Sequence, residues 1–378
     1  MSPSQFLSDD GQAALALCSP FGLSPAEIES ELQPLKLSEW NQLTRQLERP
    51  PALSPSALMG LGVSQMTKRL SLDEEEARRI RRLLDRAGAQ TLELERVLAQ
   101  GIWVTTRLDE SYPARLRATL KEKAPTVLFG AGPSSLFGRP AVAVVGSRNI
   151  DAIGTQYAME IGRRAVASGL AVVSGGARGT DRIAMNAALE AGGFSLGALA
   201  DSLEATLRKA DVCELVQEGR LALLTPYAPD AGFSVGAAMG RNKVIYGLAE
   251  FAVVVSSDYQ TGGTWAGAAE ALKGEWCPLF VRDGAETPKG NRELIKLGGT
   301  ALSDKELAGV EDLQGWLRAH AKAYLAVSAS NSSRDTTLLR KLHFSMSSAV
   351  KGRPVKTISW NLRRPIICTQ VHMRGPQP

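Results

Sequence analysis

Short apolar runs that end in glycine-rich polar turns dominate the middle of the chain. They occupy residues 141–145, 170–173, 194–200, 221–225, 251–256 and 278–281. Continuous apolar runs of this length predict buried parallel strands. Helical periodicity fills the intervals, over 157–168, 182–191, 202–210, 234–248, 265–273 and a helix from Arg292. Strands alternating with helices predict an α/β protein with a mostly parallel sheet and flanking helices.

The first hundred residues have a different pattern, which predicts a small helical N-terminal domain over 1–100. Ser24 to Glu27 and Ser71 to Glu74 both have the spacing of a capping box. The second box predicts a helix over 72–87 that carries five arginines. These arginines could contact DNA phosphates, but the acidic residues 73–76 favour pairing within the helix and a solvated face.

Residues 58–63 resemble the hairpin of a helix-hairpin-helix DNA module, of the kind also found in SAM-like helical domains. An ordinary helix C-cap explains the same glycines equally well.

The remaining chain divides into three predicted parts. Residues 101–140 form a connecting segment with a strand at 102–105 and a helix opened by Pro113. Residues 141–325 form the α/β core, whose last helix is predicted over 307–324. Residues 326–378 form a basic tail without periodicity, which is either a flexible polycationic arm or a shifted reading of the gene end.

The charge is unevenly distributed. The net charge is +5, yet nine Lys/Arg and one acid lie from Arg334 onward, so residues 1–333 hold 35 basic and 38 acidic groups. Residues 1–333 therefore do not offer a generally basic surface for a polyanion, and any polyanion-binding site among them must be a focused pocket. No apolar run approaches a membrane span, and residues 1–10 lack the charged region and apolar core of a signal peptide, so we expect a cytoplasmic protein without membrane contact.

Two of the polar turns follow neighbouring predicted strands and carry the candidate chemistry. The first contributes Gly146, Ser147 and Arg148; the second contributes Ser174, Gly175, Gly176, Ala177, Arg178, Gly179 and Asp181. Each turn precedes a helix N-terminus, whose free amides favour an anion, and each holds a guanidinium suited to phosphate. Glycine and serine also suit ordinary turns, but two such turns on adjacent strands favour a phosphate site.

Three further segments extend this candidate site. They contribute Arg241, Asn242 and Lys243 at the start of the 234–248 helix; Thr261, Gly262, Gly263 and Thr264 in a third strand-to-helix turn; and Lys289 and Asn291 before the last core helix. Right-handed crossovers place the turns on one edge of the sheet, where they can converge on one ligand. A basic helix face is the alternative interpretation for residues 241–243.

Several catalytic motifs are absent from the sequence. No Gly-Lys-Ser/Thr follows either turn, and no G-x-G-x-x-G follows the first strand, so nucleotide hydrolysis is not indicated. The four cysteines form no C-x-x-C pair and the chain has three histidines, which gives no zinc site. We therefore predict no cofactor and no metal.

The motifs at these turns resemble the DprA/Smf DNA-processing family. The resemblance runs from about residue 100 to 300 and rests on GIWVTTRLDESYPARLRATLKEKAPTVLFGAG (101–132), VAVVGSRN (142–149), VVSGGARGTDRIAMNAAL (172–189), GRNKVIYGLAEFAVVV (240–255) and PKGNRELIKLGG (288–299). It implies a Rossmann-like core that binds single-stranded DNA without catalysis. It also implies a homodimer that protects incoming strands and loads RecA recombinase in natural transformation.

The sequence departs from the family pattern at two of these motifs. Ser-Gly-Ser-Leu is usual at 261–264 and Gly-Leu-Ala at 175–177, whereas this chain has Thr-Gly-Gly-Thr and Gly-Gly-Ala. Gly-Gly-Thr is similar to the motif of related phosphoribohydrolases, so a nucleotide-binding or N-glycosidase enzyme with Glu270 as its carboxylate is the alternative. A role in phage defence or plasmid control also stays open.

Overall fold

A single nine-stranded sheet organises the part of the chain described by the computed structural model, which comprises residues 7–24, 26–27 and 32–321. The strands are β1 Ile102–Thr106, β2 Val127–Ala131, β3 Ala141–Gly146, β4 Ala171–Ser174, β5 Ser195–Ala198, β6 Leu221–Thr225, β7 Phe251–Ser256, β8 Leu279–Asp283 and β9 Thr300–Ser303. Their spatial order is β1-β2-β6-β5-β4-β3-β7-β8-β9. β3 to β9 are mutually parallel, and β1 and β2 are added antiparallel at one edge.

Helices cover both faces of the sheet. Those with described bounds are α1 Asp9–Cys18, α2 Leu37–Leu47, α3 Val63–Leu70, α4 Glu74–Leu84, α5 Ala87–Ala99, α6 Ala114–Leu120, α7 Ala152–Ala167, α8 Thr180–Glu190, α9 Leu203–Leu207, α10 Ala210–Gln217, α11 Val235–Leu248, α12 Gly262–Gly274, α13 Lys289–Lys296, α14 Asp304–Gly309 and α15 Leu313–His320. The predicted α/β class with a mostly parallel sheet is confirmed.

Two apolar cores, one on each face, hold the helices to the sheet. On one face α7, α8, α14 and α15 pack against Val142, Val144 and Val253. On the other face α6, α11, α12 and α13 pack against Val145, Val173 and Val254. The strands are apolar on both faces because each face is covered, which is why they read as unbroken apolar runs.

The predicted strand set and helix bounds need several corrections. β9 was not predicted, so Leu279–Asp283 is not the last strand. The predicted helix over 307–324 is two helices, α14 and α15, because the chain is extended at Val310. Residues 101–140, predicted as a connecting segment, supply β1 and β2 to the sheet itself.

The N-terminal helices have their own core and their own corrections. Leu17, Trp40, Leu58 and Leu83 are among the buried residues that hold α1 to α4 together. The predicted box at Ser71 is wrong, since Ser71 is the left-handed C-cap of α3 with φ 54°. The side chain of Asp73 caps α4 instead, by accepting a bond from the Glu76 amide.

The arginines of this region mostly bind carbonyl groups of the protein itself. Arg86 is buried and donates to the carbonyls of Ala16 and Phe21. Arg81 donates to the carbonyls of Met59 and Leu61, so a side chain from α4 caps the segment that resembles a hairpin. The predicted pairing with the acidic residues 73–76 and the solvated face are confirmed at Arg78, which is exposed and forms an ion pair with Glu74 at 2.5 Å, but not at Arg81 and Arg86.

Among the described residues, no helix is long and apolar enough to cross a membrane. The predicted basic tail over 326–378 lies outside the described residues.

Candidate functional site

The three polar turns meet at one edge of the sheet, as predicted. β3 pairs with β4 on one side and with β7 on the other, all parallel. The strands β4 to β6 lie on one side of β3, and β7 to β9 lie on the other side. The order of the strands therefore reverses between β3 and β7, which makes this position a topological switch point. The N-termini of α7, α8 and α12 follow the three strands at this edge. The positive ends of the three helix dipoles make the edge favourable for anions.

The first and second turns interlock through Gly179. This residue has φ +87° and ψ −135°, which L side chains rarely adopt. A Cβ here would lie 2.6 Å from the carbonyl oxygens of both Ser147 and Arg148. The next residue, Thr180, donates its amide and its hydroxyl to the Ser147 carbonyl, at 3.2 and 3.1 Å. The two turns are therefore one packed unit.

A buried carboxylate braces the second turn from below. The Gly175 amide donates to Oδ2 of Asp181 at 3.1 Å, and Asp181 is only 9% exposed. Burial raises the pKa of Asp181, against the lowering effect of Arg241 and of nearby hydrogen bonds. The carboxylate of Asp181, a predicted site residue, therefore holds the second turn in place from inside the protein.

Arg241 lies inside the protein rather than at the surface. It was predicted at the start of its helix, but α11 begins six residues earlier and puts Arg241 in the middle. Its guanidinium donates to the Ala198 carbonyl at the end of β5 and packs against Gly175, where a Cβ would collide with it. Burial lowers the pKa of Arg241, although Asp181 and Asp201 raise it. Its Nε has no hydrogen-bond partner among the described atoms.

The third turn is shorter than predicted because α12 begins at Gly262. Gly262, Gly263 and Thr264 therefore form the first helical turn. The Thr264 hydroxyl donates to the Gly146 carbonyl at 3.0 Å, and Asn242 donates to the Gly263 carbonyl at 3.0 Å. These bonds tie the third turn to β3 and to α11.

A cavity of about 380 Å³ opens between β3 and β7, which we call the switch-point cavity. Its lining includes Gly146, Ser147, Arg148, Ala177, Asp181, Arg241, Asn242, Asp258 and residues 261–264. Most of the predicted site residues thus surround one cavity. Arg148 and Arg178 are exposed beside it, and Arg178 donates to Asn149 Oδ1 at 2.9 Å.

Eight predicted site residues do not line the switch-point cavity, namely Ser174, Gly175, Gly176, Arg178, Gly179, Lys243, Lys289 and Asn291. Ser174 is buried and donates its hydroxyl to the Val144 carbonyl, and the last three residues lie away from the second turn. Lys243 is half-buried and faces away from the turns, where its charged neighbours are Glu270 and Lys123, and burial lowers its pKa. Lys289 is exposed and its Nζ lies 4.5 Å from the centre of the Tyr259 ring. Asn291 is fully buried. None of the three lines the switch-point cavity.

Asn291 links the ends of β7 and β8 through its amide. Its Oδ1 accepts from the Ser257 amide at 2.8 Å, and its Nδ2 donates to the carbonyls of Val255 and Arg282 at 3.1 and 2.9 Å. A side chain with every polar atom engaged in this way cannot bind a ligand. Asn291 therefore supports the third turn.

Replacing Asn291 by alanine is expected to lower the free energy of unfolding by about 2 kcal/mol, because three buried backbone groups lose their partner. Urea unfolding at equilibrium measures this loss. Asn186→Ala is the control, since Asn186 is exposed on α8, and it should change stability by less than about 0.5 kcal/mol. Equal stability of the two variants would contradict the assigned role.

Sequence reasoning missed an apolar group at the mouth of the cavity. Phe233, Val235 and Met239 line it and are 54%, 72% and 39% exposed. The Arg148 guanidinium lies 5.5 Å from the centre of the Phe233 ring. A phenylalanine in a loop of proline and glycine was the available signal. Tyr259 and Trp265 pack edge-to-face on each other, with their ring centres 5.0 Å apart.

The groups around the switch-point cavity favour anions. No cluster of metal-ligating side chains occurs in residues 7–24, 26–27 and 32–321. Glu270, the carboxylate of the alternative enzyme hypothesis, is exposed on α12 and does not line the switch-point cavity. Glycines and two arginines are prominent in the lining of the cavity, and the carboxylates Asp181 and Asp258 are present as well.

This fold and site define a Rossmann-like α/β protein whose strand ends meet at an edge that favours anions. The family model for DNA recombination-mediator protein A matches residues 103–310. The chain therefore belongs to the DNA recombination-mediator protein A family, the DprA/Smf DNA-processing proteins, as the sequence motifs predicted.

Individual relatives agree with this assignment. DNA processing protein DprA of Mycobacterium tuberculosis is 27% identical over 310 residues, covering 73% of this chain and 78% of the relative. DprA of Streptococcus pneumoniae is 31% identical over 157 residues, covering 41% and 54%. The X-ray structure of the pneumococcal protein matches with a TM-score of 0.50 at 22% identity, over 73% of this chain and 98% of that one. This last likeness concerns the fold.

Proposed function

We propose that this protein binds single-stranded DNA non-covalently at the switch-point cavity and delivers the strand to a RecA-type recombinase. The observation that carries the proposal is the meeting of three helix N-termini with exposed Arg148 and Arg178 at one sheet edge. Phosphate is the anion that such a combination of amides and guanidiniums fits.

A single strand suits this site better than a duplex. The cavity is a focused pocket, and the apolar group formed by Phe233, Val235 and Met239 stands at its mouth. Single-strand binders combine a positive groove with apolar or aromatic surfaces for unstacked bases. Phosphate contacts would supply affinity, and the bases would be read little.

The partners follow from the family rather than from the site. The family description names a recombination mediator, which supports the transfer of a bound strand to a recombinase. A homodimer, a cytoplasmic location, protection of incoming strands and a role in natural transformation belong to the same proposal. Sedimentation of the full chain, with and without an oligonucleotide and RecA, tests the dimer and the partner together.

The double variant Arg148→Ala/Arg178→Ala is expected to bind a fluorescent single-stranded oligonucleotide about a hundredfold more weakly, since two charge-assisted contacts are lost. The plot of log K against log salt should become shallower by about 1.4, because each lost phosphate contact contributes about 0.7 for single strands. Fluorescence anisotropy over a salt series measures both quantities.

Arg163→Ala is the matched control, because Arg163 is an exposed arginine on α7 that lines none of the cavities. It should keep the affinity and slope of the unchanged protein. The proposal fails if the double variant keeps both values too. Incubating the protein with nucleoside monophosphates tests the enzyme alternative, which requires release of free base and its loss in Glu270→Gln.

A further inference from the structure

A second cavity lies on the other side of the Gly175–Arg178 turn from the switch-point cavity. Its volume is about 490 Å³, and it extends between α8, α10, the residues that follow β5 and the first half of β6. We call it the β5 cavity. The switch-point cavity and the β5 cavity share Arg148, Ala177, Phe233 and Arg241 as common lining residues. A nucleotide held at the turn could therefore reach into the β5 cavity.

Part of the lining of the β5 cavity is apolar. Met185, Leu189, Leu199, Val212, Leu215 and Leu223 belong to this part. Val212 and Leu215 are only partly buried, so α10 leaves apolar surface facing the opening. Walls of this kind favour a flat, largely apolar group.

Another part of the lining of the β5 cavity is polar and can form hydrogen bonds with the edge of such a group. Thr206 and Lys209 provide hydrogen-bond donors, and Asp201 and Asp211 provide acceptors. The buried Arg241 also belongs to this part, and its Nε has no partner among the described atoms.

We infer that the β5 cavity holds the base of a nucleotide whose phosphate lies at the Gly175–Gly179 turn. The inference rests on the proposed function, because the strand supplies the phosphate. An apolar slot with donors and acceptors at its rim matches a nucleobase, which has flat faces and a polar edge. Arg178, Arg182 and Lys209 at the opening offset the two carboxylates and admit the phosphate.

Filling the β5 cavity tests the inference. Val212→Trp places an indole among the apolar walls, and Glu214→Trp is the matched control, because Glu214 lies exposed on the same helix outside the cavity. Each protein is titrated with a fluorescent oligonucleotide and with an abasic strand of the same length. The readout is the ratio of the two affinities, which does not depend on a uniform change in charge.

The unchanged protein and Glu214→Trp should prefer the base-bearing strand about tenfold, the usual size of one well-held base. Val212→Trp should reduce this preference to about twofold or less while binding the abasic strand as before. Unchanged abasic binding also shows that the variant is folded. Thr206→Phe, which narrows the polar part of the cavity, should act in the same direction. The inference is overturned if both variants retain the tenfold preference.

The base in the β5 cavity belongs either to a DNA strand or to a free nucleotide. Binding of free 2-aminopurine deoxyribonucleoside monophosphate distinguishes these two sources. If this nucleotide binds the unchanged protein and Val212→Trp abolishes that binding, the β5 cavity takes a free nucleotide. If no strand binds but the free nucleotide does, the proposed function fails and the cavity assignment stands. If strands bind through Arg148 and Arg178 without any base preference, the proposed function stands and the cavity assignment fails.

Discussion

Replacing Gly179 by alanine is expected to lower the free energy of unfolding by about 4 kcal/mol and to abolish binding of single-stranded DNA. Two separate effects lower the stability of Gly179→Ala. Its φ of +87° is unfavourable for any residue with a Cβ. The new Cβ would also lie 2.6 Å from two backbone oxygens of the first turn, and these cannot rotate away as the end of a side chain can.

The loss of binding follows because the first and second turns must separate to admit the methyl group. The amides of both turns then lose the relative positions that let them face one phosphate. Urea unfolding and anisotropy with a labelled oligonucleotide measure the two effects. Gly192→Ala is the control, since Gly192 has φ +80° but open space around a Cβ. It should cost about 1 kcal/mol and leave binding unchanged. Equal costs at the two positions would contradict the interlock.

Replacing Arg241 by methionine is expected to cost about 3–5 kcal/mol at neutral pH, because it leaves the buried Asp181 carboxylate without its compensating charge. Methionine keeps much of the length and apolar contact of the arginine stem. The Ala198 carbonyl also loses its donor. The cost therefore arises from an uncompensated charge and an unpaired carbonyl rather than from a cavity.

The stability cost of Arg241→Met should increase with pH. Burial already raises the pKa of Asp181 in the folded protein, and removing Arg241 raises it further. A raised folded pKa contributes stability that is fully present below the unfolded value of about 3.9 and is lost as the pH rises through the folded pKa. The deficit of the variant should be greatest near about pH 7 and shrink toward about pH 4.

Urea unfolding of both proteins across this pH range measures the effect. Measured against the single variant Asp181→Asn, the double variant Arg241→Met/Asp181→Asn differs by no titrating carboxylate, so its deficit should be independent of pH. A deficit of Arg241→Met that stays constant with pH would show that Asp181 is not the group left uncompensated.

The sequence predicted the central strands and their shared edge well, because covered parallel strands are apolar on both faces. It did not predict β9, where Thr300 and Ser303 at the sheet margin interrupt any apolar run. It placed Gly262 to Thr264 in a turn, since glycine and threonine favour turns, whereas tertiary contacts from Asn242 and to Gly146 draw them into a helix.

The functional residues were harder to predict than the strands. A sequence identifies Arg241 as a charge but does not show that α11 turns it into the sheet beside Asp181 and Gly175. Lys243, two residues further along the same helix, faces the opposite way for the same geometric reason. Phe233 was missed because a single aromatic residue in a loop carries no periodicity. The direction of each of these side chains depends on how its helix is rotated or how its loop is folded, and both of these depend on packing.

The interlock at Gly179 has a consequence for the entropy of ligand capture. Two loops that moved independently would each lose conformational freedom when a phosphate bound, and that loss would weaken the complex. Here the chain has already ordered both loops against each other during folding, through the Thr180 bonds to Ser147. The entropy loss on binding then falls mainly on the flexible ligand, and the protein surface that receives it is preorganised.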